Sequence, residues 1–222
     1  MTEQQQIPGV RVPMVSESEA TGRTAELYER IKETTKLPFV PDMFRLVSAR
    51  PALLEVVLAG YSGVFSDGVL PRGTRELISA WTSKVCGCPY CVGTHNWFLL
   101  QFGGSKELAD AITVASSPDE LPVDAPTAEL LRLVTKVTTG AYRVTDEDWQ
   151  RAAAAGWNDE ELLEAVFVAA LFNFITRLVD GLGLGTTVRE SRISRQDTEE
   201  QDTGEQATGD AGDAGDTEDA AR

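Results

Sequence analysis

The residues best suited to chemistry lie together near the middle of the chain. Cys88 and Cys91 are separated by Pro89 and Tyr90, and His95, the only histidine among 222 residues, follows one helical turn later. Two thiols at this spacing can close a small disulfide ring, and a thiol beside a helix start or an imidazole becomes a better thiolate. The cluster therefore favours thiol redox chemistry.

Glu76 adds a carboxylate upstream, so that the full pattern is E-x11-C-x2-C-x3-H. On one helix, Cys91 and His95 would share a face, while Cys88 would lie one turn earlier at the electropositive start. A carboxylate on the preceding helix can orient the imidazole, which gives the nucleophile-plus-base arrangement of covalent catalysis. The helix start favours Cys88 as the attacking thiol, whereas the proximity of His95 favours Cys91.

Other interpretations of the cluster stay open. Cys86, Cys88, Cys91 and His95 form the spacing C-x-C-x2-C-x3-H and can supply four ligands of the type that structural zinc prefers. Such a site would require Cys86 to fold back, and it would leave Glu76 without a role. A buried cysteine pair without redox function and a hydrogen-bonded core histidine are simpler alternatives.

Helical patterns dominate the chain, and no segment alternates like a sustained strand, so we expect an all-α fold. Pro71 is expected to open the helix that carries Glu76, and Gly87 is expected to interrupt it. Pro89 then occupies a first helical position, which places the two cysteines at a helix start.

The remaining helices are predicted from capping residues and prolines. They are expected after Thr21, at 43–47, from Pro51 towards Gly68, at 105–115, at 127–139, after Thr145 and after Asn158. The last of them is apolar on nearly every side, which predicts a central position or a subunit contact.

The charge composition of the chain limits the classes of partner that it is expected to bind. The chain carries a net charge of −15, and a net of −8 belongs to residues 194–222. Such a balance repels phosphate backbones and anionic lipid headgroups, so neither nucleic acid nor a membrane surface is an expected partner. The first residues lack a signal-like pattern, and the longest apolar run, 165–172, is shorter than the roughly 20 residues that span a bilayer. With an intracellular type of CxxC, this predicts a cytoplasmic protein.

The domain organisation is expected to be simple. One helical domain, 21–193, should follow an N-terminal extension, 1–20. Residues 194–222 contain no bulky apolar side chain that could offset the entropy lost on ordering, so they are predicted to form a disordered acidic tail.

These motifs resemble the carboxymuconolactone decarboxylase superfamily, and within it the alkylhydroperoxidase D-like, peroxidase-related branch. The resemblance covers about residues 20–187 and rests on E-x11-CPYC-x3-H, VPDMFRLVSARPALLE, LPRGTRELI and ELLEAVFVAALFNFITRLVDGLGL. It implies an all-helical bundle that assembles into homo-oligomers, either trimers or hexamers. It also implies a CxxC pair that cycles between dithiol and disulfide while reducing hydroperoxides.

Carried onto this sequence, the resemblance implies that Cys91 attacks the peroxide, that Cys88 resolves the product, and that Glu76 and His95 relay protons. Alkylhydroperoxidase D itself carries a histidine where this chain has Tyr90. A phenol titrates at about pH 10 and is a poor base at neutral pH, although it can donate a hydrogen bond, so we include Tyr90 in the site. Members that decarboxylate lactones typically lack the cysteine pair, which argues against that activity here.

The sequence hypothesis is a thiol peroxidase that acts on a hydroperoxide. The sulfenic acid formed on Cys91 would condense with Cys88, and a dithiol or protein reductant would reopen the disulfide. Neither a bound cofactor nor a metal is expected. The alternatives are a non-enzymatic oligomer that senses redox conditions through the same cysteines, and the structural zinc site.

Overall fold

The computed structural model describes residues 7–187 as a bundle of α-helices, and no strand occurs within that range. The all-α expectation is confirmed. The predicted disordered tail, 194–222, lies outside the described residues, and the domain limits 21–193 stay a prediction. The helices are α1 (Gly22–Thr35), α2 (Asp42–Arg45), α3 (Pro51–Phe65), α4 (Arg72–Cys86), α5 (Pro89–Gln101), α6 (Lys106–Val114), α7 (Ala125–Gly140), α8 (Asp146–Ala154), α9 (Asp159–Gly181) and α10 (Leu184–Thr187).

Side-chain caps stabilise the starts of α6, α7, α8 and α9. The side chains of Ser105, Asp124 and Asn158 accept hydrogen bonds from backbone N–H groups at the starts of α6, α7 and α9. Because Asp124 caps α7, this helix begins two residues earlier than the sequence indicates. Thr145 takes part in a capping box at α8. Thr21 precedes α1 as expected, but its side chain makes no capping hydrogen bond.

A two-residue break, Gly87 and Cys88, connects α4 to α5. Gly87 has a φ of 78°, in the left-handed region that glycine adopts without a steric penalty, and it ends α4 as predicted. The Cys88 backbone N–H then donates to the Ser83 carbonyl at 3.0 Å, and Pro89 opens α5. The two helices pack against each other, so the side chains of α4 face the first turns of α5.

The centre of the bundle is formed by α4 and α9. Helix α4 packs against α5, α7 and α9, and Trp81 from α4 is buried with its indole N–H donating to Thr135 Oγ1 at 2.7 Å. Helix α9 also contacts α3, α7, α8 and α10, which confirms its predicted central position.

By length and composition α9 could cross a membrane. The uninterrupted apolar run 165–172 is too short to indicate this. The packing of α9 in the bundle explains its apolar buried face, because Val168 and Phe172 belong to the core. Other large apolar side chains of α9 are exposed, namely Leu163, Phe167 and Phe174.

Glu164 of α9 holds the loop that precedes α4. Its Oε2 atom accepts hydrogen bonds from the backbone N–H groups of Val69 at 2.8 Å and Leu70 at 2.7 Å. A Cβ at Gly68 would lie only 2.0 Å from Glu164 Oε1, so this close approach requires glycine. The contact fixes the first turn of α4 relative to α9.

Candidate active site

Glu76 of α4 and His95 of α5 form a buried pair. His95 Nδ1 lies 2.7 Å from Glu76 Oε2, Glu76 is fully buried, and His95 is 5% exposed. An ionised carboxylate can only accept, so Nδ1 carries the hydrogen of this bond. In the neutral imidazole, Nε2 is then left as the acceptor. The pair is arranged to take a proton at Nε2.

Arg72 neutralises the buried Glu76 carboxylate from one turn earlier on α4. Its Nε and Nη2 atoms lie 2.7 and 2.6 Å from Glu76 Oε1, so the two carboxylate oxygens are divided between Arg72 and His95. The guanidinium also lies 4.3 Å from the centre of the Phe65 ring and 4.7 Å from that of Phe102. Sequence reasoning missed Arg72, although its i, i+4 spacing from Glu76 was an available signal.

The two cysteines of the CxxC are reduced and in contact. Their Sγ atoms are 2.9 Å apart, Cys88 is fully buried, and Cys91 is 3% exposed. The hydrogen bond with Cys88 and the burial of the thiol raise the pKa of Cys91 well above its usual value. The neighbouring His95 therefore does not make Cys91 an easily ionised thiol in this structure. At neutral pH it keeps its proton and needs a base to become a nucleophile.

Cys91 and His95 line the same small, apolar cavity, with a volume of about 30 Å³. This space corresponds to roughly two water molecules. The imidazole is held by aromatic rings, with its centre 4.4 Å from that of Phe172 in an edge-to-face contact and 5.9 Å from that of Phe65. The other lining residues are Pro41, Met43, Phe44, Tyr61, Tyr90, Thr94, Phe98 and Ile175.

Tyr90 lies in this wall, where it is 3% exposed. Burial, and after it the negative charge of Asp42, raise the pKa of the phenol well above its usual value. The hydroxyl therefore stays protonated across the physiological range and can act as a hydrogen-bond donor but not as a base. The structure thus brings all five predicted residues into one region, Glu76, Cys88, Tyr90, Cys91 and His95.

Cys88 faces a different side of the bundle. It borders an open groove of about 420 Å³, lined by Lys84, Gly87, Pro89, Val92, Gly93, Asn96 and Thr113. The carboxylate of Asp180, near the end of α9, also interacts with the Cys88 thiol. Asp180 was not found from the sequence, although an acidic residue in the last turn of a helix is an unusual placement.

Cys86 does not join the other two cysteines. Its Sγ atom lies 3.7 Å from Asn173 Oδ1 of α9. Across residues 7–187, no three His, Cys, Asp or Glu side chains are grouped so that they could hold a metal ion. The ligand set of the zinc alternative is therefore not assembled, and His95 is committed to Glu76 instead.

Part of the chain matches a known family. Residues 51–123 match the profile of the carboxymuconolactone decarboxylase family. An alkyl hydroperoxide reductase of Mycobacterium tuberculosis is 29% identical over 113 residues, which cover 50% of this chain and 32% of that protein. The chain thus spans about a third of the length of this curated relative.

Solved structures share the fold. An alkylhydroperoxidase core described as a peroxidase-related protein, from Ralstonia eutropha JMP134, superposes with a TM-score of 0.72 at 24% identity, covering 80% of this chain and 92% of its own. The debrominase Bmp8 in complex with 2,3,4-tribromopyrrole superposes with a TM-score of 0.66 at 14% identity, covering 89% and 99%. Residues 51–123, which include the CxxC segment, match the carboxymuconolactone decarboxylase family, and the chain shares the fold of alkylhydroperoxidase D-like proteins.

Proposed function

We propose that the protein is a dithiol peroxidase that reduces small organic hydroperoxides. The observation that carries the proposal is the contact of the Cys88 and Cys91 sulfurs, 2.9 Å apart, beside a cavity that Cys91 shares with His95. Two thiols in contact can become a disulfide with little movement of the chain. The similarity to an alkyl hydroperoxide reductase supports the same class of reaction.

The first step oxidises Cys91. His95 Nε2 takes the thiol proton, which the raised pKa of Cys91 makes necessary. The Cys91 sulfur attacks the terminal peroxide oxygen, the O–O bond breaks, and the imidazolium returns the proton to the leaving alkoxide. The products are a sulfenic acid on Cys91 and an alcohol. Glu76, held by Arg72, stabilises the positive charge that His95 carries between the two transfers.

The second step closes the disulfide. The Cys88 sulfur attacks the sulfur of the sulfenic acid, the S–O bond breaks, and water leaves. A dithiol or a protein reductant then returns both cysteines to thiols. Tyr90 is proposed to donate a hydrogen bond within the cavity, because its phenol stays protonated.

The cavity supports the choice of substrate. Its lining is mostly apolar and aromatic, which favours an alkyl or aryl group over water. Its volume of about 30 Å³ admits the peroxide group and only a short substituent unless side chains move. We therefore expect tert-butyl hydroperoxide to be a better substrate than a fatty-acid hydroperoxide.

The test is a peroxide-consumption assay with dithiothreitol as the reductant. We expect many turnovers per protein molecule, and their loss in both Cys88→Ala and Cys91→Ala. Cys86→Ala is the matched control and should retain activity, because Cys86 contacts Asn173 rather than the pair. If the wild type oxidises once and stops in the presence of the reductant, the peroxidase proposal is wrong and the redox-sensing alternative gains support.

A second candidate is reductive debromination of a bromoarene. Aromatic side chains line the cavity beside the dithiol, and the chain shares its fold with a debrominase. In that reaction a C–Br bond is replaced by C–H while two thiols become a disulfide and bromide is released. The small cavity favours the hydroperoxide. Bromide release from 2,3,4-tribromopyrrole, measured with the same reductant and variants, would favour debromination over hydroperoxide reduction.

Assembly into a homo-oligomer, either a trimer or a hexamer, also belongs to the proposal. Exposed apolar side chains on α3 and α9 support it, namely Leu53, Val56, Leu163, Phe167 and Phe174. These two helices are in contact, since a Cβ at Gly60 would lie 2.8 Å from Leu171 Cδ1. Sedimentation of the full chain tests the assembly, and a monomer at micromolar concentration would contradict it. The cytoplasmic location stays a prediction.

A further inference from the structure

Asp180 occupies an unfavourable place for a carboxylate. It lies in the last turn of α9, where its charge adds to the negative end of the helix dipole. Arg11 does not offset this with an ion pair, because its guanidinium donates to the backbone carbonyls of Asp180 and Gly181, at 3.3 and 3.1 Å. The fold therefore gains little stability from an acidic side chain at this position.

The Asp180 carboxylate lies against the Cys88 thiol. Burial raises the pKa of Asp180, and the nearby Cys88 thiol offsets part of that rise. The contact depends on Gly185 of α10, because a Cβ there would lie 1.9 Å from Asp180 Oδ1 and 3.3 Å from Cys88 Sγ. A glycine thus leaves the space in which the thiol and the carboxylate meet.

Cys88 borders the groove but is itself fully buried, so a neighbouring group that reaches solvent is needed to carry its proton away. Among the described residues, Cys91 lies 2.9 Å from the Cys88 sulfur, and Asp180 is also close to it. After the peroxide step Cys91 is a sulfenic acid that Cys88 must attack. Of these two neighbours, the Asp180 carboxylate is the basic one, and Asp180 is half-buried, so it can exchange protons with solvent.

We propose that Asp180 is the proton acceptor for Cys88 in the step that closes the disulfide. The inference rests on the proposed peroxidase function. The Cys88 proton moves to the Asp180 carboxylate, the new S–S bond forms as the S–O bond of the sulfenic acid breaks, and the departing hydroxide becomes water by taking a proton from solvent. Asp180 returns its own proton to solvent, so the charges balance. In the reductive half of the cycle, the same carboxyl group reprotonates Cys88.

If Asp180 acted only through its charge, replacing it would change the rate of disulfide closure in the opposite direction. An ionised carboxylate beside a thiol disfavours the thiolate, so removing that charge would make Cys88 easier to ionise and would speed disulfide closure. A base role predicts that removal slows closure. The direction of the change therefore separates the two roles.

The experiment follows one turnover by rapid mixing with hydrogen peroxide and by trapping the sulfenic acid with dimedone. In Asp180→Asn we expect sulfenic acid to form at nearly the wild-type rate and to disappear about 100-fold more slowly, within the range of general base catalysis. The slow closure should accelerate as the pH rises, because hydroxide replaces the missing base. The charged and titratable groups around Asp180 in this comparison are Arg11, Cys86, Cys88 and Cys91.

Two further variants control for damage to the fold. Arg11→Gln loosens the same end of α9 without removing the carboxylate and should close the disulfide at the wild-type rate. Gly185→Ala keeps the carboxylate but displaces it from the thiol, and it should slow closure as Asp180→Asn does. Closure at the wild-type rate or faster in Asp180→Asn would overturn the proposal.

A readout without peroxide separates this inference from the proposed function. In a protein whose Cys86 and Cys91 are replaced by alanine, the infrared S–H stretching band reports Cys88 alone. We expect Asp180→Asn to shift this band, because the thiol loses its acceptor. An unchanged band would overturn the inference even if the peroxidase is real. If no hydroperoxide produces sulfenic acid in the wild type, the proposed function fails, while the band still reports the thiol–carboxylate contact.

Discussion

The two sulfurs of the CxxC are 2.9 Å apart, yet their surroundings differ in almost every respect. Cys91 faces a cavity of about 30 Å³ walled by aromatic rings, together with His95. Cys88 borders a groove of about 420 Å³ whose walls are mainly small or polar residues. The comparison teaches that the role of each thiol is set by what surrounds it, because the motif itself is nearly symmetrical.

The two carboxylates of the site, Glu76 and Asp180, also differ in their surroundings. Glu76 is fully buried, is neutralised by Arg72 and contacts the imidazole of His95. Asp180 is half-buried and lies near Cys88, since a Cβ at Gly185 would come within 1.9 Å of its Oδ1 atom and within 3.3 Å of the Cys88 sulfur. In the proposed mechanism, the Cys91 side therefore holds its proton within the protein, and the Cys88 side exchanges its proton with solvent.

The largest expected effect is a qualitative difference between the two cysteine variants. Cys88→Ala should still form one equivalent of sulfenic acid per chain with hydrogen peroxide, because Cys91 keeps its cavity and His95. Cys91→Ala should form none. Intact-mass spectrometry after dimedone trapping measures both. The reverse result would exchange the roles of the two thiols and remove the basis of the comparison.

The second prediction concerns the proton relay on the Cys91 side. His95→Ala and Glu76→Gln should each slow sulfenic acid formation by about 100- to 10,000-fold, the usual worth of general acid–base assistance. The double variant should cost much less than the product of the single effects, because the two residues act as a unit.

Glu164→Gln is the matched control for Glu76→Gln, since Glu164 holds the loop before α4 and does not contact the cysteines. It should reduce the melting temperature and leave the rate of sulfenic acid formation nearly unchanged. Equal losses of rate in both glutamate variants would mean that Glu76 supports the fold rather than the chemistry.

The third prediction concerns the free-energy cost of burying the Glu76 carboxylate. Arg72→Met should reduce the free energy of unfolding by about 3–5 kcal/mol, because it leaves a buried carboxylate without its cation. Urea denaturation measures the change. Combining Arg72→Met with Glu76→Gln should restore part of the loss. An additive result would show that Arg72 stabilises the fold through its contacts with Phe65 and Phe102 rather than through Glu76.

The smallest expected effect is a shift in titration. The hydrogen bond with Cys88 is the first cause of the raised pKa of Cys91, so Cys88→Ala should lower that pKa towards its ordinary value. In the wild type, the thiolate of Cys91 should appear only at pH values above the usual range for cysteine. Ultraviolet absorbance of the thiolate, recorded against pH in a Cys86→Ala background, follows the change. An unshifted curve would show that burial alone controls Cys91.

Local signals were sufficient for the helices and for half of the site. Gly87 and Pro89 fix the break between α4 and α5 because their backbone preferences do not depend on distant residues. The pairing of Glu76 with His95 was also predictable, since both lie on helices that such a short connection forces to pack together. Arg72 had a local signal as well, because its i, i+4 spacing from Glu76 favours an ion pair on one face of a helix.

The remaining features depend on burial and on distant contacts. Asp180 meets Cys88 only because α9 and α10 return to the start of α5, and no pattern near either residue encodes that approach. The raised pKa of Cys91 has a similar origin. The helix start favours a thiolate, but burial and the neighbouring Cys88 thiol outweigh it, and neither magnitude can be obtained from sequence spacing.

Helix α9 carries an acidic side chain at each end that holds a different part of the site. Glu164 fixes the loop before α4, and Asp180 contacts Cys88. These residues are 16 positions apart, which corresponds to about 24 Å along the axis of a helix that does not stretch. The helix therefore links these two contacts rigidly, so a displacement of α9 along its axis would move both. A partner that binds the exposed apolar face of α9 would act on both contacts.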